Sequence, residues 1–211
     1  MKRYTQKTIK FYDNTANTYI KSDAAVVLKD KIDRFIELLP GKKVLDVACG
    51  PGHDSDYLTR KGLYCIGIDL SKKMIEIAQK KFKGKYEVMD FFDLKFEDNL
   101  FDGMWCSSIF VHIKKNDLPE LLKNSKRVLK KNGILGIITV QKQKRIRNKN
   151  DTRTYTMFEE KELENYLEKA GFKTLFAEVF PYGGKKRIFI ISKKIVIPIS
   201  GKTEEKESII F

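Results

Sequence analysis

Val44-Leu45-Asp46-Val47-Ala48-Cys49-Gly50-Pro51-Gly52 is an apolar run that carries one acid and ends in two glycines. About twenty residues later comes a second run, Tyr64-Cys65-Ile66-Gly67-Ile68-Asp69-Leu70-Ser71. Together they predict two neighbouring parallel strands with a nucleotide-type ligand at their carboxyl ends, where open α/β sheets bind such molecules. Gly50 and Gly52 let the backbone turn tightly and come close to a ligand, because neither has a Cβ to clash. Asp69, closing the second run, is placed to accept hydrogen bonds from a ribose diol. Asp46 argues through its charge: a carboxylate there repels a phosphate and attracts a cationic amino group. The dinucleotide fingerprint G-x-G-x-x-G competes for this loop, but Gly50-Pro51-Gly52-His53-Asp54-Ser55 lacks its third glycine.

The rest of the chain alternates in the same way. Residues 1–40 read as helical, with Phe11, Tyr12 and Tyr19 and then Val26 to Leu39 at helical spacing, stopped by Pro40-Gly41. Strands are expected at Val44–Ala48, Tyr64–Ile68, Lys85–Met89, Phe101–Cys106, Gly133–Val140, Phe172–Val179 and Arg187–Ser192, and helices at about 54–61, from Ser71 to Gly84, at Asn116–Leu129 and at Glu159–Ala170. Lys130-Lys131-Asn132-Gly133 reads as a helix stop and Pro181-Tyr182-Gly183-Gly184 as a hairpin turn. The expected fold is a three-layer α/β sandwich: a mostly parallel seven-strand sheet ending in an antiparallel hairpin, with helices on both faces.

In this order the motifs resemble those of class I S-adenosylmethionine-dependent methyltransferases of the small-molecule type. The run at 44–52 is similar to their first motif and Gly67-Ile68-Asp69-Leu70-Ser71 to their second, and the resemblance covers about residues 40–192. It implies S-adenosylmethionine as cofactor and S-adenosylhomocysteine as product. It further implies that Ala48, Cys49, Gly50 and Gly52 pack against the amino-acid part of the cofactor while Asp46 meets its amino group. Asp69 would bind the ribose, Leu70 and Met74 would pack on the adenine, Asp90 would accept from the adenine amino group, and Phe91 would offer a backbone N–H. Cys106 and Ser107 would lie under the methionine part. His112, next to last in Phe101 to Ile113, would stand near the transferred methyl group, as a general base, as an orienting group, or as a cap of the following helix. Tyr19 and Arg153 would belong to the acceptor pocket, Arg153 binding an acceptor carboxylate or phosphate. Tyr12 has two readings, covering the cofactor or packing in the core.

The same segment departs from nucleic-acid methyltransferases. Those acting on exocyclic base amines carry Asn/Asp-Pro-Pro-aromatic after the fourth strand, where this chain has Cys106-Ser107-Ser108-Ile109. Those acting on cytosine carbon carry a cysteine beside a proline, and Cys106 lies between Trp105 and Ser107.

The 211 residues carry a formal charge of +14, which invites an RNA acceptor as the alternative reading. Lysine supplies 34 of the 42 cations and arginine eight, which favours solvated faces over bidentate phosphate recognition. Two clusters stand out all the same: Lys142 to Lys149, within a mobile surface loop expected at 142–153, and Lys185-Lys186-Arg187. Cys49, Cys65 and Cys106 have no metal-ligand spacing and are odd in number, which suits buried thiols in a reducing, cytoplasmic setting. No apolar stretch approaches the roughly 20 residues of a membrane span. The expected organisation is a helical cap at 1–40 over the cofactor site, a cofactor-binding domain at 41–195, and a tail at 196–211 that is either disordered or docked through Ile209-Ile210-Phe211. The expected state is a monomer or homodimer acting on a small-molecule methyl acceptor, with a non-catalytic cofactor-binding module as the reading from another class.

Overall fold

The computed structural model describes residues 3–20, 27–144 and 153–195. The tail at 196–211, Val26, and most of the loop expected at 142–153 lie outside the described residues. Helices α1 (Arg3–Tyr19) and α2 (Lys29–Glu37) come first. Strands β1 (Lys43–Val47), β2 (Tyr64–Asp69) and β3 (Lys85–Val88) then alternate with α3 (His53–Arg60) and α4 (Lys72–Lys81). After β4 (Phe101–Ser107) come α5 (Leu118–Val128), β5 (Leu129–Val140), α6 (Glu160–Lys169), β6 (Phe172–Tyr182) and β7 (Lys185–Lys194). The seven strands form one sheet in the order β3-β2-β1-β4-β5-β7-β6. β1 to β5 run parallel, and β7 is antiparallel to both of its neighbours. Strand order reverses at β1 and β4, so a crevice opens beyond their carboxyl ends.

Strand alternation sorts the core onto two faces. Leu45, Val47, Met104, Cys106, Leu135 and Ile137 point to one side and meet Leu121 and Leu122 of α5 and Leu163 and Leu167 of α6. Val44, Trp105, Ile134, Ile138 and Phe189 point to the other and meet Ile32 and Phe35 of α2 and Leu58 of α3. Gly136 is small for a reason of packing, since a Cβ there would come within 2.9 Å of both Phe35 and Trp105. Helix α4 starts at Ser71, whose Oγ accepts from the Met74 N–H, as its sequence predicts.

Two expectations need correction. Residues 130–133 do not cap a helix: α5 has already ended at Val128, and β5 begins at Leu129 opposite Phe101. The pairing then jumps to Gly103 opposite Ile134, and the residues between bulge out with Asn132 at φ 64°. Asp102 holds this bulge by accepting from Lys130 Nζ at 2.8 Å and from the Lys43 N–H at 2.9 Å. The final hairpin is also longer than its pattern suggested, because Pro181 and Tyr182 pair within β6 and only Gly183-Gly184 turn. Proline is tolerated there because β6 is an edge strand, and both glycines have positive φ, as a two-residue hairpin turn requires. Among the described residues no helix is long and apolar enough to cross a membrane.

Candidate active site

The carboxyl ends of β1, β2 and β4 and the loop after β3 surround a cavity that is lined on one side by Thr8, Ile9 and Tyr12 of α1. Its walls include Val47, Ala48, Asp69, Leu70, Asp90, Phe91 and His112. Two smaller cavities continue from it. One is lined by Tyr12, Tyr19, Gly50, Met74, Ser107, Ser108 and His112, the other by Tyr19, Asp46, Cys49, Pro51, Asp54 and Ser108.

The loop after β1 is shaped by backbone that L-residues rarely adopt. Ala48 has φ 56°, Gly50 53° and Gly52 87°. A Cβ on Gly50 would meet nothing within 4 Å, so its backbone faces open space. Gly52 instead packs inward, where a Cβ would sit 2.9 Å from Ala78 and Tyr86. At the end of β4, Ser108 also has positive φ, 68°. Strained backbone at the ends of two adjacent strands concentrates at the crevice, where function accounts for it best.

Asp69 links the loop to β2. Its Oδ2 accepts from the Gly50 N–H at 3.0 Å and its Oδ1 from the Ser71 N–H at 2.7 Å. Burial pushes its pKa up to about 6 despite those two donors. Asp46 is buried and accepts from Ser55 Oγ at 2.5 Å. Burial, with the neighbouring Asp54 carboxylate adding to it, holds Asp46 well above the usual carboxylate range. Asp54 accepts from the Trp105 indole N–H at 2.9 Å, and burial raises it to about 6. Asp46, Asp54 and Asp69 thus crowd three buried carboxyl groups together, and a cation beside them would favour their ionised forms. Asp90 accepts from the Phe92 N–H at 2.9 Å, a turn-forming bond, while lining the cavity.

His112 sits on a short helical turn, Phe110–His112. Its Nδ1 lies 2.9 Å from the Thr154 carbonyl, which can only accept, so Nδ1 carries the proton. Nε2 therefore accepts from the Tyr12 hydroxyl at 2.8 Å. Tyr12 in turn accepts from Arg153 at 3.2 Å, and the guanidinium lies over the Phe11 ring at 4.1 Å. Asp13 accepts from Ser71 Oγ at 2.5 Å and so ties α1 to the start of α4. Burial, and then the neighbouring Tyr12, push the Tyr19 phenol above its usual range, so it stays protonated.

Of the residues singled out in the sequence, Ala48, Gly50, Asp69, Leu70, Met74, Asp90, Phe91, Ser107, His112 and Tyr19 come together along the first two cavities, and Asp46 and Cys49 along the third. Gly52 starts α3 just behind them, and Arg153 joins through Tyr12. Cys106 does not line these cavities: alternation along β4 turns it to the α5 and α6 face, where it is wholly buried. The sequence reading missed Asp54, Ser108, Thr8 and Ile9. A helical signal did exist for α1, since Thr8 and Ile9 precede Tyr12 by four and three positions and share its face.

The cavities suit S-adenosylmethionine. They combine an apolar section beside Asp69 and Asp90 with an acid-rich section able to hold a cationic amino group. A family model described as "Methyltransferase domain" matches residues 45–137, which span β1 to most of β5. Phosphoethanolamine N-methyltransferase 1 of Zea mays is 34% identical over 121 residues, covering 54% of this chain and 24% of the relative. Ubiquinone biosynthesis O-methyltransferase of Pelagibacter ubique is 38% identical over 130 residues, covering 59% and 52%. The chain thus spans about half of the length of these curated relatives, or less. The crystal structure of Burkholderia thailandensis 1,6-didemethyltoxoflavin-N1-methyltransferase, with S-adenosylhomocysteine bound, shares the fold at a TM-score of 0.77 and 19% identity, covering 92% of this chain and 89% of that one. The sheet order, the glycine loop and these matches agree: residues 45–137 match a methyltransferase domain, set in the fold of the class I S-adenosylmethionine-dependent methyltransferases.

Proposed function

We propose that this chain methylates a small-molecule acceptor. The observation that carries the reading is the placement of Asp46, Asp69 and Asp90 at or just beyond the ends of three adjacent strands, around one continuous set of cavities. In this reading Asp46 and Asp54 hold the cofactor's amino group, Asp69 the ribose, and Asp90 with Phe91 the adenine. α1 caps the site through Thr8, Ile9 and Tyr12. When bound, the cofactor supplies a methyl group on a sulfonium, which passes to an acceptor lone pair as the carbon–sulfur bond breaks and its electrons stay on sulfur.

The work of the protein is then alignment and exclusion of water. Orientation of reactants alone can lower a barrier by roughly 7–11 kcal/mol in favourable cases. Tyr12 and His112 offer a route for an acceptor proton: the hydroxyl takes it while giving its own to Nε2, and the Nδ1–H bond to Thr154 steadies the imidazolium that results. Phosphoethanolamine, ubiquinone biosynthesis and 1,6-didemethyltoxoflavin appear in the names of proteins similar to this one, which supports a small acceptor without selecting among them.

The test is calorimetric and thermal-shift titration with S-adenosylhomocysteine, with NAD as control. Saturable binding of the former alone, with a raised melting temperature, is the expected result. A folded chain that ignores S-adenosylhomocysteine would overturn the proposal.

A further inference from the structure

Arg187 is unlike Lys194, the buried cation of its strand. Both lie on β7, at opposite rims of the sheet. At the far rim Lys194 is fully engaged, donating to the Leu129 carbonyl at 2.6 Å and to Asn99 Oδ1 at 2.9 Å. Arg187 sits opposite Val140, at the rim where β4 ends and the cavities open. One of its terminal nitrogens donates to Ser108 Oγ at 3.2 Å, and its guanidinium lies 5.3 Å from the Tyr182 ring centroid. Its Nε–H is shut from water and meets no acceptor, and among the described residues no carboxylate is within ion-pair distance of this guanidinium. A guanidinium offers five donors in a planar fork, and an oxyanion is the group that satisfies such a fork best.

Ser108 places that charge. It lines both smaller cavities beside Tyr19 and Gly50, and it is held at positive φ by its position at the end of β4. Across the second cavity, Arg153 reaches Tyr12, and Lys185 at the hairpin donates to the Tyr155 hydroxyl at 3.0 Å. The cavities are thus lined by carboxylates from β1, β2 and α3, while two cations, Arg187 on β7 and Arg153 before α6, stand just behind their lining residues Ser108 and Tyr12.

We propose that the acceptor carries an oxyanion, a carboxylate or phosphate, which Arg187 and Ser108 bind so that its nucleophilic end faces Tyr12 and His112. The proposal rests on the methyltransferase reading and adds the acceptor's class to it. An anionic group on this side is also drawn towards the cationic cofactor that the carboxylates hold on the other.

The test uses the full chain saturated with S-adenosylhomocysteine and titrated with inorganic phosphate or propionate at constant ionic strength, with chloride as the balancing anion. One of the two probes should bind saturably, and the tighter one names the oxyanion. Arg187→Gln should weaken that probe about tenfold or more while S-adenosylhomocysteine affinity is kept, and Arg187→Lys should fall between, since it keeps charge without the fork. The surface control Lys83→Gln should change nothing. If Arg187→Gln does not fold, Arg187→Lys and Ser108→Ala carry the comparison. Unchanged anion affinity in the variants, or no saturable binding of either probe, would overturn the proposal. So would displacement of S-adenosylhomocysteine by phosphate, because the guanidinium would then serve the cofactor's own carboxylate. A chain that takes up no S-adenosylhomocysteine fails the methyltransferase reading itself, a separate and distinguishable result.

Discussion

The Tyr12 hydroxyl lies 2.8 Å from Nε2 of His112, joining the first helix to the turn after β4 across 100 positions of sequence. Because the Thr154 carbonyl fixes the proton on Nδ1, the contact has a direction: tyrosine donates and histidine accepts. His112→Ala should lower turnover with the acceptor found by metabolite screening, by roughly 10²–10⁴-fold if proton removal is part of the reaction. Tyr12→Phe should show the same direction with a smaller loss. S-adenosylhomocysteine affinity, measured beside turnover, should hardly move in His112→Ala; an equal loss of affinity would place this histidine in cofactor binding instead.

Asp69→Ala removes the acceptor of both the Gly50 and the Ser71 N–H groups and, in the proposed reading, the group that meets the ribose. Charged hydrogen bonds of this kind contribute about 1.5–3 kcal/mol each. S-adenosylhomocysteine affinity should therefore drop by at least about tenfold, with a lower melting temperature even without ligand. Asp90→Ala, which loses the Phe92 turn bond, should weaken binding less. Isothermal titration of the two variants side by side checks the order.

The raised values at Asp54 and Asp69, each about 6, set a pH dependence. The ordinary carboxylate value is about 4, so between about pH 4 and 6 the folded chain holds protons that the unfolded chain has lost. Stability of the ligand-free protein from these two groups should fall as pH rises through that window and level off above it. Asp33 and Asp102 have lowered values and act with the opposite sign, but at lower pH. Binding that uses the ionised acids should strengthen over the same rise. Urea unfolding and calorimetry between about pH 5 and 7.5 should show both trends, with Asp54→Asn flattening the first.

Trp105→Phe keeps the ring in the core but leaves the Asp54 carboxylate short of its indole donor. Removing the partner of a buried acceptor costs about 1–3 kcal/mol. Denaturant unfolding at neutral pH should show that loss, and the loss should shrink towards about pH 5 as Asp54 takes up a proton.

The fold was readable because its signals are local. β1, β2 and the glycine loop are short apolar runs with their breakers in place, and α4 carries its own cap at Ser71. The bulge at 130–133 was not readable: lysines, an asparagine and a glycine after a helix look like a stop, and only Asp102, bonded to both Lys130 and Lys43, shows that the chain has already entered the sheet. The positions of the acids could be anticipated because Asp46 lies within the first strand run next to its end, Asp69 closes the second and Asp90 follows the third. Asp54 could not, because its role depends on Trp105, which comes 51 positions later and from another strand. Cys106 shows the limit of proximity in sequence. One step along β4 from Ser107, it faces the opposite side of the sheet.

The place of β7 between β5 and β6 has a consequence for how the molecule comes into being. β6 leaves the ribosome first but has no neighbour in the sheet other than β7, so it must wait, unpaired, for the strand that follows it. Until residues 185–194 are made, β5 presents an open edge of backbone donors and acceptors, the kind of template on which nascent chains stick to one another. The same late strand carries Arg187, so the oxyanion site proposed for it is assembled after the cofactor loop. A nascent chain could therefore have its cofactor loop folded well before it could hold an acceptor.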